Sequence, residues 1–405
     1  MRFTSSIFTS LLKPIDRRRF QASVAQHRGD AYGKSFNSWE HLVALVYAQL
    51  SGTSSLRALE TGFNAQSNHH YHLNCGRLSR STLADANKRR PVRVFTDVFQ
   101  SLVSRLGRRV RNEARAVLQL IDSTPIMLSH QFECATSNGR IRGLKLHVLH
   151  DLEVNCPCHA EITPATVNDI IPARAIAITE GVTYVFDKAY CDFDWWTKIN
   201  DCGAFFVTRP KTNMAVKVLA HRPLDMTQGD RFTVLADCMI TRNIHGKTKL
   251  DMPLRRITIR RDVARNKTKT STKTSTHDQD SGDVFDIISN DICRSAVGLA
   301  ACYKARWQIE LLFRWIKQNL NITKFIAVNE NAVRLQIVAA MIAFVLIRIA
   351  HQTSASTLRP RRFIELVRSF IHARRPIAKI DKPPPINANS SQTKCNPNQI
   401  EFNLA

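Results

Sequence analysis

Apolar and polar positions change period along this chain. SFNSWEHLVALVYAQLSG repeats apolar residues at helical spacing from Trp39 to Leu50, with Ser38 placed to cap the helix and Gly52 to stop it. SSLRALETG follows as a second short helix, giving a helix-turn-helix outline. RLSRSTLADANKRRPVRVFTDVFQSLVSRLGRRVR is a third helical element that opens on Ser and Thr and ends in a basic cluster. From Ala116 the period shortens to that of strands. AVLQLID ends on Asp122, LKLHVLHDL and PCHAEITPA form a hairpin around Val154 and Asn155, and VTYVFD ends on Asp187. FFVTRP, RFTVLADCMI and LRRITIRR continue the β character. NKTKTSTKTSTHDQDSGD, residues 266–283, reads as a flexible loop, and the segment beginning DKPPPINANSSQ as a disordered tail over 380–405. Between them YKARWQIELLFRWIKQNL, residues 303–320, is expected to be one helix. The apolar run from Ile337 to Ile347 is too short to span a membrane and reads as a buried helix.

Composition adds a partner class. Of 405 residues 58 are Lys or Arg and 33 Asp or Glu, a net charge of +25 that favours a polyanion such as nucleic acid, and a hydrophobic fraction of 44% excludes a disordered chain. The excess is front-loaded: residues 1–115 hold 19 basic against 7 acidic residues, a net of +12. Ten cysteines without a paired framework fit a reducing compartment. Cys156, Cys158 and His159 have no second half of a zinc module and read as strand residues. His147, on the KLH strand, reads as structural or solvent-facing.

The 303–320 helix poses a question of its own. On a helical wheel at about 100° per residue, Arg306, Glu310, Arg314 and Lys317 lie within roughly 60° of Tyr303, one acid on a basic face. Ile309, Leu312, Phe313, Ile316 and Leu320 form the neighbouring arc that a helix buries, while Trp307, Leu311 and Trp315 flank the polar strip from the other side. The Arg and Lys side chains are useful if a phosphodiester backbone crosses that face. With Asp122 and Asp187 at strand ends, Glu310 makes a carboxylate set suited to a hard divalent cation, Mg²⁺ or its substitute Mn²⁺, in phosphoryl transfer.

Tyr303, Arg306, Glu310 and Lys317 stand in the pattern Y-x2-R-x3-E-x6-K, which resembles the signature of the bacterial insertion-sequence-four family of DDE transposases. The likeness extends through IDSTPIML, KLHVLHDL, VFDKAYCDF, GAFFVTRPK and NENAVRLQIVAAMIAFVLI. FTSLLKPIDRRRFQASVAQHRGD, SWEHLVALVYAQLSGTSSLRALE and LSRSTLADANKRRP resemble the helical N-terminal domain of one branch of that family, so the Arg- and Ser-rich first thirty residues are not read as a transit peptide.

The resemblance implies an α/β fold: a ribonuclease-H-like catalytic core with a β-rich insertion, preceded by an all-helical N-terminal domain. The expected divisions are a DNA-binding domain over 1–115, the first part of the core over 116–211, the insertion over 212–290, the rest of the core with C-terminal helices over 291–379, and the tail. It implies that Asp122, Asp187 and Glu310 are catalytic and hold Mg²⁺, and that Tyr303, Arg306 and Lys317 meet DNA phosphates. Arg314 is added from the wheel, and Lys188 stands where many relatives carry Arg, keeping the charge but losing the fork. The implied partner is double-stranded DNA, at element ends and at the target, bound by a homodimer, with no membrane involved. The segment FDIISNDICRSAVGLA departs from the family's usual strand and turn. Two other readings fit the same residues: a DNA-binding protein descended from a transposase that no longer cuts, and another metal-dependent nuclease on the same core.

Overall fold

A computed structural model describes residues 5–31, 33, 35–110, 117–132, 134–224, 232–242, 250, 252–261 and 284–382. The loop expected at 266–283 and the tail from residue 383 lie outside the described residues. Seven helices come first: α1 (Ile7–Leu12), α2 (Arg17–Gln26), α3 (Ser38–Ser51), α4 (Leu56–Asn64), α5 (His70–Leu73), α6 (Arg80–Arg89) and α7 (Val92–Val110). Gly52 ends α3 in the left-handed region at φ 71°, as its sequence position implied. The cap differs from expectation: it is Asn37, whose Oδ1 accepts from the Glu40 N–H while Glu40 Oε2 accepts from the Asn37 N–H, both at 2.9 Å. Ser38 is displaced from that role because Asp30 binds both its N–H and its hydroxyl.

The strands β1 (Leu118–Met127), β2 (Thr136–Ser137), β3 (Arg142–Asp151), β4 (Cys156–Pro164), β5 (Thr183–Val185), β6 (Phe205–Thr208), β7 (Lys217–His221), β8 (Phe232–Thr241), β9 (Leu254–Arg261) and β10 (Val284–Ser289) form one ten-stranded sheet, with α8 (Ile170–Ala175) and α9 (Phe193–Asp201) between strands. Its path runs β2-β3-β1-β5-β6-β10-β9-β8-β7, with β4 also paired to β3. Antiparallel β4-β3-β1 followed by parallel β1-β5-β6 is the ribonuclease-H-like arrangement that the resemblance implied. The hairpin turns where the sequence placed it, with Asn155 at φ 48°. The strands after β6 extend the core sheet, because β10 pairs antiparallel with β6. Gly143 is required in this sheet: a Cβ there would meet the Ile126 carbonyl oxygen at 2.1 Å.

Alternation along the strands divides the core. Leu120, Val185 and Val207 face one cluster, Ile121, Tyr184, Phe186 and Phe206 the other, where Trp195 and Trp196 are fully buried. The C-terminal helices α10 (Ala296–Ala305), α11 (Trp307–Asn319), α12 (Glu330–Thr353) and α13 (Pro360–Ser369) complete the first cluster. Helix α12 is longer than its apolar run announced and, at 24 residues, long and apolar enough to cross a membrane. Here it is packed against α1, α3, α6 and α7 in front and α13 behind, which is why nearly every residue from Ala332 to Ile347 is buried.

Candidate active site

The sheet's alternation decides where the acids point. Asp122 follows Ile121 and so shares the face of Leu120, and Asp187 shares the face of Val185; that is the face on which Ile309, Leu312, Phe313 and Ile316 of α11 pack. Asp122 is not at the end of its strand, as expected, but in the middle of β1. The reason is that only the parallel pairing with β5 stops at Leu120, while antiparallel pairing with β3 carries on to Met127. Asp187 stands just past β5 and caps the turn Lys188–Tyr190, its Oδ1 accepting from the Ala189 N–H at 2.8 Å.

The helix expected over 303–320 is two helices that abut at Arg306. There the backbone tightens: the Arg306 N–H donates to the Tyr303 carbonyl and the Ile309 N–H to the Arg306 carbonyl, each three residues away instead of four. Tyr303 therefore belongs to α10 and Glu310 to the first turn of α11. All eight residues singled out from the sequence nevertheless line one open cleft of about 740 Å³: Asp122, Asp187, Lys188, Tyr303, Arg306, Glu310, Arg314 and Lys317. Arg209, Ser123, Thr124, Phe313 and Gln318 line it too and were not foreseen. Arg209 had a signal, since a base directly after β6 stands beside the end of β5; its guanidinium lies 4.8 Å from the Phe285 ring centroid.

Arg306 joins the acids. Its Nη2 is 2.7 Å from Glu310 Oε1 and its Nη1 3.6 Å from Asp122 Oδ2. Burial, reinforced by the neighbouring Asp187 charge, raises the Asp122 carboxyl to about 7 even though Arg306 opposes the shift. Burial alone would loosen the proton on Arg306, but Tyr303, Asp122, Glu310 and Asp187 together hold it more firmly than usual. Burial also raises the Tyr303 hydroxyl and lowers the Lys317 ammonium. Arg314 is exposed and 5.8 Å from the Trp307 ring centroid, and Trp307 is itself half exposed.

Oxygen-only donors on Asp122, Asp187 and Glu310 have the chemistry of a hard divalent cation. As the side chains stand, however, no group of three His, Cys, Asp or Glu residues among the described residues is close enough together to hold a metal ion. A guanidinium, not a bare carboxylate cage, occupies the meeting point. Cys156, Cys158 and His159 lie on β4 as ordinary strand residues, the Cys158 thiol donating to the Leu149 carbonyl at 3.3 Å. His147 is buried and hydrogen-bonded to Thr163 Oγ1 at 2.8 Å, which makes it structural.

Three carboxylates among five bases in one cleft, on a ribonuclease-H-like sheet, are the make-up of a protein that works on nucleic acid strands. Residues 113–346 match the transposase DDE domain, and residues 4–74 match DUF4372, a domain of unknown function. The chain is 48% identical to a Sinorhizobium fredii protein described as transposase y4zB, over 79% of this chain and 85% of that one. It is 26% identical to a Geobacillus stearothermophilus protein described as a transposase for insertion sequence element IS5377, over 74% of this chain and 75% of the other. A solved synaptic complex of piggyBac transposase with hairpin DNA aligns at TM-score 0.42 and 9% identity, covering 94% of this chain and 81% of that one. The chain belongs to the DDE transposase family and is a DNA transposase of the insertion-sequence type.

Proposed function

We propose that this transposase cuts DNA at the ends of its own insertion sequence and joins the freed 3′ hydroxyls to target DNA in a Mg²⁺-dependent reaction, with Mn²⁺ able to substitute. The observation that carries the reading is the convergence of Asp122 on β1, Asp187 just past β5 and Glu310 on a distant helix upon one cleft whose remaining charged side chains are all basic. These acids would hold the metal, which when bound supplies Lewis acidity to the attacking and leaving oxygens. Lys188, Arg314 and Lys317 grip the phosphodiester backbone on either side of the cut, and Arg306 offers the planar fork that suits a phosphate. Tyr303, packed beneath Arg306 with its ring centroid 5.9 Å from the guanidinium, limits where that fork can point.

The front helices take the element ends in this reading. Arg18, Arg28, Arg77, Arg80, Lys88, Arg89 and Arg93 are exposed, so among the described residues much of the front helices' basic charge is on the surface. Binding through such contacts weakens steeply with salt. Cutting and joining two ends needs two active sites, which supports a homodimer on paired DNA ends, working at the bacterial nucleoid. The direct test is Glu310→Gln, which keeps shape and removes a charged oxygen donor. The variant is expected to bind terminal DNA as the unaltered protein does and to give no nicked or joined product in Mg²⁺; equal cleavage refutes the assignment.

A further inference from the structure

One cation, Arg306, spans carboxylates that come from opposite sides of the cleft, Asp122 on β1 and Glu310 on α11. Its side chain is only 16% exposed. Tyr303 packs against it, and Asp187 adds to the negative field around it. A divalent ion brought to the same oxygens would sit at contact distance from the guanidinium. Like charges about 4 Å apart repel by several kcal/mol at an effective dielectric near 20, so the two cations cannot share these acids.

We propose that Arg306 is a built-in counter-ion: a positioning residue that holds Asp122 and Glu310 together, competes with the divalent metal for their oxygens, and is drawn off when a DNA phosphate enters the cleft. The inference rests on the reading of the three acids as metal holders. Two features of the site make the exchange workable. A guanidinium fork fits a phosphate as well as a carboxylate, so the side chain has a second partner of equal geometry. Phosphate is drawn to the same cleft by Lys188, Arg209, Arg314 and Lys317. Metal loading and DNA arrival are then coupled in the same direction, each favouring the other.

The test is Mg²⁺ titration calorimetry on the full chain in mildly alkaline buffer, with and without a short DNA duplex. Without DNA, Arg306→Gln is expected to bind Mg²⁺ about tenfold tighter than the unaltered protein, since the competing charge is gone. Arg306→Lys keeps that charge and is expected to bind as the unaltered protein does. The duplex should tighten Mg²⁺ binding in the unaltered protein and leave the Gln variant unchanged. Thermal unfolding without metal should show the Gln variant less stable and Mg²⁺ restoring it. If Arg306→Gln binds Mg²⁺ no tighter, while Glu310→Gln abolishes binding, the counter-ion role is wrong and the acid assignment stands. A tenfold gain in Arg306→Lys would refute the role equally. If no protein shows Mg²⁺ binding that depends on Glu310, with or without DNA, the acid assignment itself fails and this inference with it.

Discussion

Asp122 illustrates how one carboxylate is tuned by its surroundings. Burial and Asp187 lift its pKa to about 7, well above the value of about 3.9 for an exposed Asp. The folded chain therefore holds this proton more tightly than the unfolded chain. That stabilisation is complete below about pH 4 and is lost as pH rises through about 7. Asp122→Asn cannot ionise and escapes the loss. Its unfolding free energy relative to the unaltered protein should rise between about pH 5 and pH 8, by an amount on the order of 2 kcal/mol, read from urea unfolding across that range; a difference that is flat with pH would show that Asp122 ionises in the fold as it does in water. Glu310 and Asp187 are individually unremarkable in sequence, and only their shared face with Asp122 gives them meaning.

The helices that carry the site are tied to the sheet by polar joints. Asp237 on β8 and Arg255 on β9 form a buried bidentate pair, with Nε and Nη2 at 2.8 and 2.6 Å from the two carboxylate oxygens. Arg255 also donates to the Arg294 carbonyl, one residue before Ser295, whose hydroxyl caps α10. Asn290 holds the preceding corner, accepting from the Phe206 N–H and donating to the Ala204 carbonyl. The segment that departs from the family pattern is thus a well-bonded junction. Removing one partner of a buried pair leaves the other charge uncompensated, so Arg255→Ala should cost about 3–5 kcal/mol in urea unfolding. Replacing Asp237 and Arg255 together by Leu should cost clearly less; equal costs would mean that volume, not charge, governs the joint. Gly143→Ala should also destabilise, through the Ile126 carbonyl.

Front and rear helices share one core, and polar bonds cross between them: Arg368 donates to the Leu50 carbonyl at 3.0 Å, and Asn331 to the Asn87 and Arg90 carbonyls at 2.9 and 2.8 Å. This interlock makes acid sensitivity a property of the entire chain. Burial depresses His41 to about 3 and His147 and His150 to about 4. Below the unfolded value of about 6.5 the unfolded chain takes up protons that these rings refuse in the fold, so stability is full above that pH and falls as pH drops toward 4. Thermal melts should show this fall, and His41→Gln, which keeps a hydrogen-bonding group beside Asn87, should reduce it. An unchanged slope would remove His41 from the explanation.

Periodicity and motif by themselves determined the strands that lead to Asp122 and Asp187, the hairpin at Asn155, the buried α12 and eight of the residues that line the cleft, because side-chain alternation and helical spacing are local properties. The position of Asp122 within β1, the break at Arg306, the cap at Asn37 and the continuity of β6 with β10 were decided only in the folded chain. Three of these depend on a partner outside the local pattern: β3 carrying β1 past the acid, Asp30 taking Ser38, β10 returning to β6. The bridging of Asp122 and Glu310 by Arg306 belongs there as well, since no local pattern records which of several bases on a helix face will turn inward.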